Sequence, residues 1–170
     1  MATRSKYGNK KHEVDGITFD SKAEARYYMK LKRNGMSFMP LSETYCAMQE
    51  NVLLQEGYLC NDRKIAPIYY RADFVIYENG QVKKVIDVKG YQDAISMLKM
   101  KMFAHRYGFP VTFAKFDSKI NKFIEMDCFE SARQQRKRQT ERRKKKLMEG
   151  KQNDKTSEFQ TRIEESDIKI

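Results

Sequence analysis

The chain has 170 residues, 40% of them apolar, and its 34 Lys and Arg against 23 Asp and Glu give a net charge of +11. This length and apolar content suit one domain with a modest core plus an extension. No apolar run approaches membrane-spanning length and the N-terminus lacks a signal-peptide core, which argues against an integral membrane or secreted protein. The three cysteines lack the CxxC spacing of zinc sites, so we expect no disulfide framework and a cytoplasmic location.

The positive charge is concentrated towards the C-terminus. Ser131 to Lys146 contains nine Lys and Arg and one Glu, whereas Leu147 to Ile170 contains four basic and six acidic residues. A basic segment on a basic chain suits a polyanionic partner, most simply nucleic acid. The alternative is a solvated basic helix without a partner.

Residues 1–12 predict a flexible basic arm, in which cations stand beside an aromatic side chain that can stack on a base. Its candidate nucleic-acid-binding residues are Arg4, Lys6, Tyr7, Asn9, Lys10 and Lys11. Glu13 to Phe19 then predicts a short hairpin or an edge strand, with Asp15-Gly16 as its turn.

The segment "DSKAEARYYMKLKRNG" predicts the first helix, because helix-favouring residues follow a capping residue, Asp20 or Ser21, and precede a terminating Asn34-Gly35. Met36 to Ile65 is less regular and indicates strands separated by polar turns.

The strongest strand signals are Ile65 to Tyr77 and Val82 to Lys89. The segment "DAISMLKMKMFAHRY" predicts a second helix, capped by Asp93 and closed by Gly108.

Val111 to Phe116 alternates as a strand does, and a further helix is expected to begin near Asp127. This helix includes a basic stretch, 131–150, and the composition of 151–170 indicates disorder. Together the elements predict an α/β domain over 13–130, with a mixed sheet flanked by a helix on either side.

Three charged residues interrupt the two central strands: Asp73 in the first, Asp87 and Lys89 at the end of the second. Charged groups are usually kept out of strands because they are costly to bury. Two clustered carboxylates repel unless a cation lies between them, and hard oxygen ligands beside a phosphate favour Mg²⁺ or Mn²⁺. The alternative is a surface ion pair of Asp87 with Arg71, with Lys89 solvated.

The turn decides whether Asp73 and Asp87 share a face of the sheet. A two-residue loop at Asn79-Gly80 directs the two carboxylates to opposite faces. A three-residue loop over 78–80, with its glycine in a bulge, places Asp73 opposite Val85 and diagonal to Asp87, about 7–8 Å away. We predict the three-residue loop, since it lets both carboxylates reach one ion.

Three segments, "KYGNKKHEVDGITFDSKAEARYY", "YYRADFVIYENG" and "VIDVKGY", resemble a family of small phage and prophage proteins related to Holliday-junction-resolving and restriction-type endonucleases. Asp73 followed by Asp87-Val88-Lys89 is similar to the PD-(D/E)xK nuclease motif, with Ala72 in place of its Pro. The resemblance covers Lys6 to Phe116. It implies a restriction-endonuclease-like core and a metal-dependent nuclease, often a homodimer.

The resemblance also implies roles for individual residues. Asp73 and Asp87 hold Mg²⁺ or Mn²⁺, the Val88 carbonyl is a further ligand, and Lys89 positions or activates the attacking water. Such nucleases usually supply one more acid from the first helix, which implies Glu24 as a third ligand. The spacing of Glu24 from Ser21 also fits a capping box, which is the alternative role.

Further DNA contacts are expected from Arg71, from Lys99 on the second helix, and from the basic extension. The candidate residues of the extension are Arg136, Lys137, Arg138, Arg142 and Arg143. They predict sequence-independent, salt-sensitive affinity for phosphates.

These observations predict a metal-dependent endodeoxyribonuclease with no small-molecule cofactor, and the resemblance implies that it leaves a 5′-phosphate and a 3′-hydroxyl. The resemblance implies branched DNA such as a Holliday junction as one candidate substrate, and a nicked, single-stranded or site-specific target is the alternative. It also implies a role in phage recombination, replication or packaging inside the bacterial host cell. The alternative is a non-catalytic nucleic-acid-binding accessory protein with the same fold and basic extension.

Overall fold

A computed structural model describes residues 11–88 and 93–167, with side chains described up to Met148 in the last helix. The chain divides into two compact units, Met1–Phe129 and Glu130–Ile170. The first unit is an α/β domain with a mixed five-stranded sheet, which confirms the predicted fold class. Among the described residues, none of the helices combines the length and the apolarity needed to cross a bilayer.

The structure contains three described helices and nine described strands. The helices are α1 (Lys22–Arg33), α2 (Ala94–Tyr107) and α3 (Cys128–Asp167). The strands are β1 (His12–Val14), β2 (Ile17–Phe19), β3 (Thr44–Gln55), β4 (Tyr58–Cys60), β5 (Arg63–Ile65), β6 (Ile68–Glu78), β7 (Gln81–Asp87), β8 (Thr112–Asp117) and β9 (Lys122–Asp127).

The central sheet has the strand order β3-β6-β7-β8-β9. Its neighbouring strands are antiparallel except β7 and β8, which are parallel and are joined through α2. Parallel neighbours require such a crossover, since a tight turn reverses the chain and can join only antiparallel strands. Strand β9 was not among the predicted elements, and it closes the sheet on the far side of β8.

Local sequence signals set the ends of the helices. Ser21 is the N-cap of α1 and Asn34 its C-cap, and α2 begins after Asp93. Gly108 ends α2 in the left-handed conformation at φ 79°, which glycine adopts without steric cost. The predicted hairpin turn at Asp15-Gly16 is also present, with φ of 54° and 75°.

Each face of the sheet is covered by one helix. Tyr27 and Tyr28 of α1 pack in one buried cluster with Phe74 and Ile86. On the other face, α2 contributes to a second buried cluster: Met100, Phe103, Val75, Val85 and Tyr70 are among its members. Because both faces are buried, a charged residue in the central strands must lie at the end of the sheet or be compensated.

In the neighbouring strands β3 and β6, the side chains change from one face of the sheet to the other in the middle of the strand. Met48 packs on the α1 side and Val52 on the α2 side, although strict alternation would put both on one side. Between them, Gln49 has a positive φ of 51°. On the neighbouring strand, Ala72 and Phe74 likewise pack on opposite sides. Asp73 therefore lies at the switch point of β6, between two residues that pair with positions flanking Gln49.

Helix α3 begins at Cys128, as expected, and continues to Asp167. The helix therefore extends past Gly150, the point beyond which the composition indicated disorder. The physical reason is that Lys, Glu and Gln, which lower hydrophobicity, also have good helix propensity. The candidate DNA-contacting residues of α3, Arg136 through Arg143, are exposed.

Candidate metal-binding and catalytic site

The turn between β6 and β7 differs from the predicted three-residue loop. Glu78 pairs with Gln81, so that Asn79 and Gly80 form a two-residue turn. Both turn residues have positive φ, 51° and 76°, as a type I′ turn requires. The predicted loop was wrong because Asn-Gly satisfies this tight turn directly.

A β-bulge after the turn nevertheless brings the two carboxylates together. Tyr77 pairs with Val82 but Ile76 pairs with Lys84, so Lys83 is an extra residue in β7. The bulge shifts the register by one residue, and a one-residue shift exchanges the faces of every following side chain.

The last pair of β6 and β7 is Phe74 with Ile86, and continuing this register by one residue puts Asp73 across from Asp87. The predicted diagonal arrangement, with Val85 opposite Asp73, is therefore corrected: Val85 pairs with Val75. Directly opposed side chains have Cβ atoms about 4.5–5.5 Å apart. The carboxylates can thus approach one ion more closely than predicted.

Asp87 is deeply buried at the C-terminal end of β7, with 3% of its surface exposed. Its Oδ2 accepts a hydrogen bond from the hydroxyl of Tyr70, which is also buried. Burial, and then the negative charge of Asp87, raise the pKa of Tyr70 far above its ordinary value. The phenol therefore keeps its proton and holds Asp87 in one orientation.

Asp73 is fixed by the backbone of the opposite strand. Its Oδ2 accepts a hydrogen bond of 2.7 Å from the backbone N–H of Val88. Since Val88 directly follows Asp87, this bond joins the two acidic strand positions. It also brings the backbone of Val88, the residue whose carbonyl was predicted as a ligand, next to Asp73.

Glu24 lies on the buried side of α1, and its N–H donates to the Ser21 side chain at 3.2 Å, which is one half of the capping box that was the alternative prediction. Its carboxylate accepts from the Ser21 hydroxyl at 2.7 Å, through Oε1, and from the Asp20 N–H at 3.2 Å, through Oε2. Burial raises the pKa of Glu24, and the negative charges of Asp20 and Asp87 raise it further. Glu24 is thus close enough to Asp87 for the two carboxylates to repel each other.

The donors at this end of the sheet fit a hard divalent cation. Mg²⁺ commonly takes one or two protein carboxylates and keeps several waters. Asp73 and Asp87 supply two opposed carboxylates, and Glu24 is a third in their electrostatic neighbourhood. Within residues 11–88 and 93–167, no three His, Cys, Asp or Glu side chains form a group that could by itself hold a metal. Lys89, the predicted catalytic amine, lies outside the described residues.

The described residues among those predicted to contact nucleic acid differ in their surroundings. Lys99 donates to the Tyr69 carbonyl at 2.9 Å, next to the tyrosine that holds Asp87. Arg71 is exposed and donates to the Gln49 side chain at 2.7 Å, so it is not the predicted ion-pair partner of Asp87 in this register. Lys11 is exposed. Arg4, Lys6, Tyr7, Asn9 and Lys10 lie outside the described residues.

Sequence reasoning missed Tyr70 as a site residue. Under strict alternation, Tyr70 and Asp73 point to opposite faces, and the link to Asp87 emerges only with the switch at Gln49. The one local signal was a tyrosine three residues before the first acid, which has no specific meaning by itself.

Comparison with known proteins gives one family match. A family model described as "Protein of unknown function (DUF1064)" matches residues 4–119. No curated protein and no solved structure matches the chain. The matched segment contains Glu24, Asp73 and Asp87, and it ends before α3.

Proposed function

The chain belongs to the family described as "Protein of unknown function (DUF1064)", and we propose from its site that it is a metal-dependent endodeoxyribonuclease of the PD-(D/E)xK type. One observation supports this most strongly: a bulge in β7 shifts the register so that Asp73, in the middle of β6, comes across from Asp87 at the end of β7 when the pairing of Phe74 with Ile86 is continued by one residue. Placing like charges opposite each other costs stability. A binding protein without metal chemistry has no need for that arrangement.

Each described site residue has a role in this proposal. Asp73 and Asp87 would hold Mg²⁺ or Mn²⁺, with the Val88 carbonyl as a further ligand and Glu24 reached directly or through water. The ion, when bound, neutralises charge on the scissile phosphate. Tyr70 orients Asp87, the Val88 N–H orients Asp73, and Lys89 is proposed to position the attacking water.

The proposed substrate is DNA, and branched DNA such as a Holliday junction is one candidate. The net charge of +11 supports a polyanionic substrate, and the exposed cations of α3 add affinity without base readout. A homodimer in the cytoplasm of a bacterial host, acting in phage recombination, replication or packaging, completes the proposal.

Cleavage assays with matched aspartate variants test it. Purified protein is incubated with labelled linear, forked and four-way DNA in Mg²⁺, Mn²⁺ or EDTA. We expect metal-dependent cutting, and we expect Asp87→Asn and Asp73→Asn to reduce its rate by about 10²-fold or more, since each removes charge at the proposed metal site. DNA binding, measured separately in EDTA, should stay within about threefold of wild type.

Asp93→Asn is the control, because Asp93 caps α2 by accepting from the Ser96 N–H at 2.7 Å. Cleavage that persists in Asp87→Asn would refute the assignment of the site. Binding without cleavage under every metal condition would favour the non-catalytic accessory protein.

A further inference from the structure

A second concave surface lies on the side of α1 that faces away from the proposed metal site. It is an open cleft of about 580 Å³ between α1, β1 and the β8–β9 hairpin. Lys22, Arg26 and Arg33 of α1 line it. At about 100° per residue these three residues share one side of the helix, whereas Glu24 lies about 200° from Lys22. The cleft is therefore a different surface from the one that Glu24 and Asp87 approach.

The cleft is strongly cationic. Lys22, Arg26, Arg33 and Lys122 are exposed, and none of them forms an ion pair with another described residue. Among the described lining residues, Glu13 is the one acid. The converging cations outnumber this acid and raise the local positive potential, which a polyanion that enters the cleft lowers.

The floor of the cleft is apolar and aromatic. Met29, Phe116 and Phe123 contribute to its lining, and all three are partly buried. The Arg26 guanidinium lies over the Phe116 ring, 4.6 Å from its centroid. Cations on the rim with aromatic rings on the floor are a combination that binds single strands, because phosphates meet the cations while bases stack on the rings or on a guanidinium that lies over a ring.

We propose that this cleft binds a single-stranded segment of nucleic acid, with its phosphates along α1 and its bases towards Phe116 and Phe123. Lys22 and Arg33 are eleven residues apart, so they span about 16 Å of helix, enough for several phosphates of one strand to contact the rim. A duplex offers phosphates to the rim but keeps its bases away from the floor. The proposal needs no metal and no cleavage chemistry.

Binding of the full chain to a fluorescent fifteen-nucleotide oligo(dT), followed by anisotropy in EDTA, tests the charge requirement. The variant is Arg33→Gln with Lys122→Gln. The matched control is Arg63→Gln with Lys64→Gln, which removes two exposed cations from the β4–β5 hairpin of the same unit. We expect at least threefold weaker binding for the cleft variant, and a salt slope lower by about 1.4, since each single-strand phosphate contact contributes about 0.7.

Photocrosslinking tests the location. An oligo(dT) containing 5-bromodeoxyuridine is irradiated with the full chain in EDTA, and crosslinked peptides are identified by mass spectrometry. We expect crosslinks in the peptides that contain Phe116 or Phe123. Equal weakening by the two double variants, or crosslinks confined to α3, would overturn the proposal.

Two further outcomes distinguish this proposal from binding of an acidic protein partner and from the proposed nuclease activity. If the cleft variant loses binding of poly-glutamate while its oligo(dT) affinity is unchanged, the cleft belongs to an acidic protein partner and the proposal fails. Because every reading is taken in EDTA, absence of cleavage by Asp73 and Asp87 leaves the result intact. Conversely, an unchanged oligo(dT) affinity leaves the proposed nuclease site standing.

Discussion

Two glutamates on the α1 side of the sheet have pKa values that their surroundings shift in opposite directions. Glu125 of β9 accepts hydrogen bonds from Lys84 and Tyr27, both at 2.8 Å, and from Lys30. Burial alone would raise its pKa, but these three donors outweigh burial and lower the pKa to about 2. Glu24 is also buried, yet its pKa is raised, by burial and by the charges of Asp20 and Asp87.

The difference indicates which acidic region is structural. Around Glu125 the chain itself supplies the positive charge, so the carboxylate joins α1, β7 and β9 and requires nothing from solution. Around Glu24 the neighbouring acids are Asp20 and Asp87, and desolvation further disfavours the charged form. Strained carboxylates of this kind are typical of functional sites, where a cation completes the charge balance.

The largest expected effect comes from breaking the structural region with Glu125→Gln. This variant leaves two lysines facing a neutral amide, so we expect a loss of about 2–3 kcal/mol in the free energy of unfolding at pH 7, as for hydrogen bonds to charged groups. Urea denaturation measures the loss. Glu78→Gln is the control, because Glu78 pairs with Lys83 on an exposed surface at 2.9 Å, where a pair contributes at most about 1 kcal/mol.

Comparison of wild type with Glu125→Gln should also show a pH dependence of the free energy of unfolding. The pKa of Glu125 is lowered from 4.5 to about 2, so its contribution is fully present above pH 4.5 and is lost as pH falls through about 2. The stability gap between wild type and Glu125→Gln should therefore narrow over this acidic range. An equal gap at pH 7 and pH 2 would contradict the assignment of Glu125 as a charged anchor.

Local chemistry made part of the fold predictable. The caps Ser21 and Asp93 and the terminating Gly108 satisfy backbone groups within a few residues of themselves, so short-range patterns identify them. Asn79-Gly80 follows the same logic. The sequence favoured this two-residue turn, but we predicted a three-residue loop because we did not foresee the bulge in β7.

The parts that could not be predicted depend on distant residues. The bulge at Lys83 and the positive φ of Gln49 change which face the side chains occupy, and neither has a distinctive sequence signal. The bond from Tyr70 to Asp87 follows from both changes together. The acids of the candidate site were therefore proposed from the sequence through their resemblance to a known motif, whereas their geometry required the paired strands.

A smaller effect, on the stabilisation by Mg²⁺, is expected from Tyr70→Phe, which removes the hydrogen bond to Asp87 at the proposed metal site. Loss of a hydrogen bond that orients a ligand typically weakens metal affinity about tenfold. At a Mg²⁺ concentration of ten times Kd, the ion should stabilise wild type by about 1.4 kcal/mol, and the variant by about 0.4 kcal/mol. Thermal unfolding with Mg²⁺ or EDTA gives the difference.

Tyr28→Phe is the matched control, because Tyr28 donates to another aspartate, Asp15, at 2.9 Å. Its response to Mg²⁺ should equal that of wild type. An identical Mg²⁺ response in Tyr70→Phe would remove Tyr70 from the proposed site. A Mg²⁺ response lost equally in both variants would show that the ion acts elsewhere.

The smallest expected effect, and the sharpest contrast with Glu125, is Glu24→Gln. A raised folded-state pKa means that the stability contributed by Glu24 is present below its ordinary value of 4.5 and is lost as pH rises through the folded value. Gln keeps the capping box and removes the charge facing Asp87, so stability at pH 8 should equal wild type or exceed it by up to about 1 kcal/mol. Glu24→Ala, which removes the box, should instead lose about 1 kcal/mol. If Glu24→Gln were destabilised as strongly as Glu125→Gln, both glutamates would be structural anchors, since only an uncompensated carboxylate can be neutralised without loss.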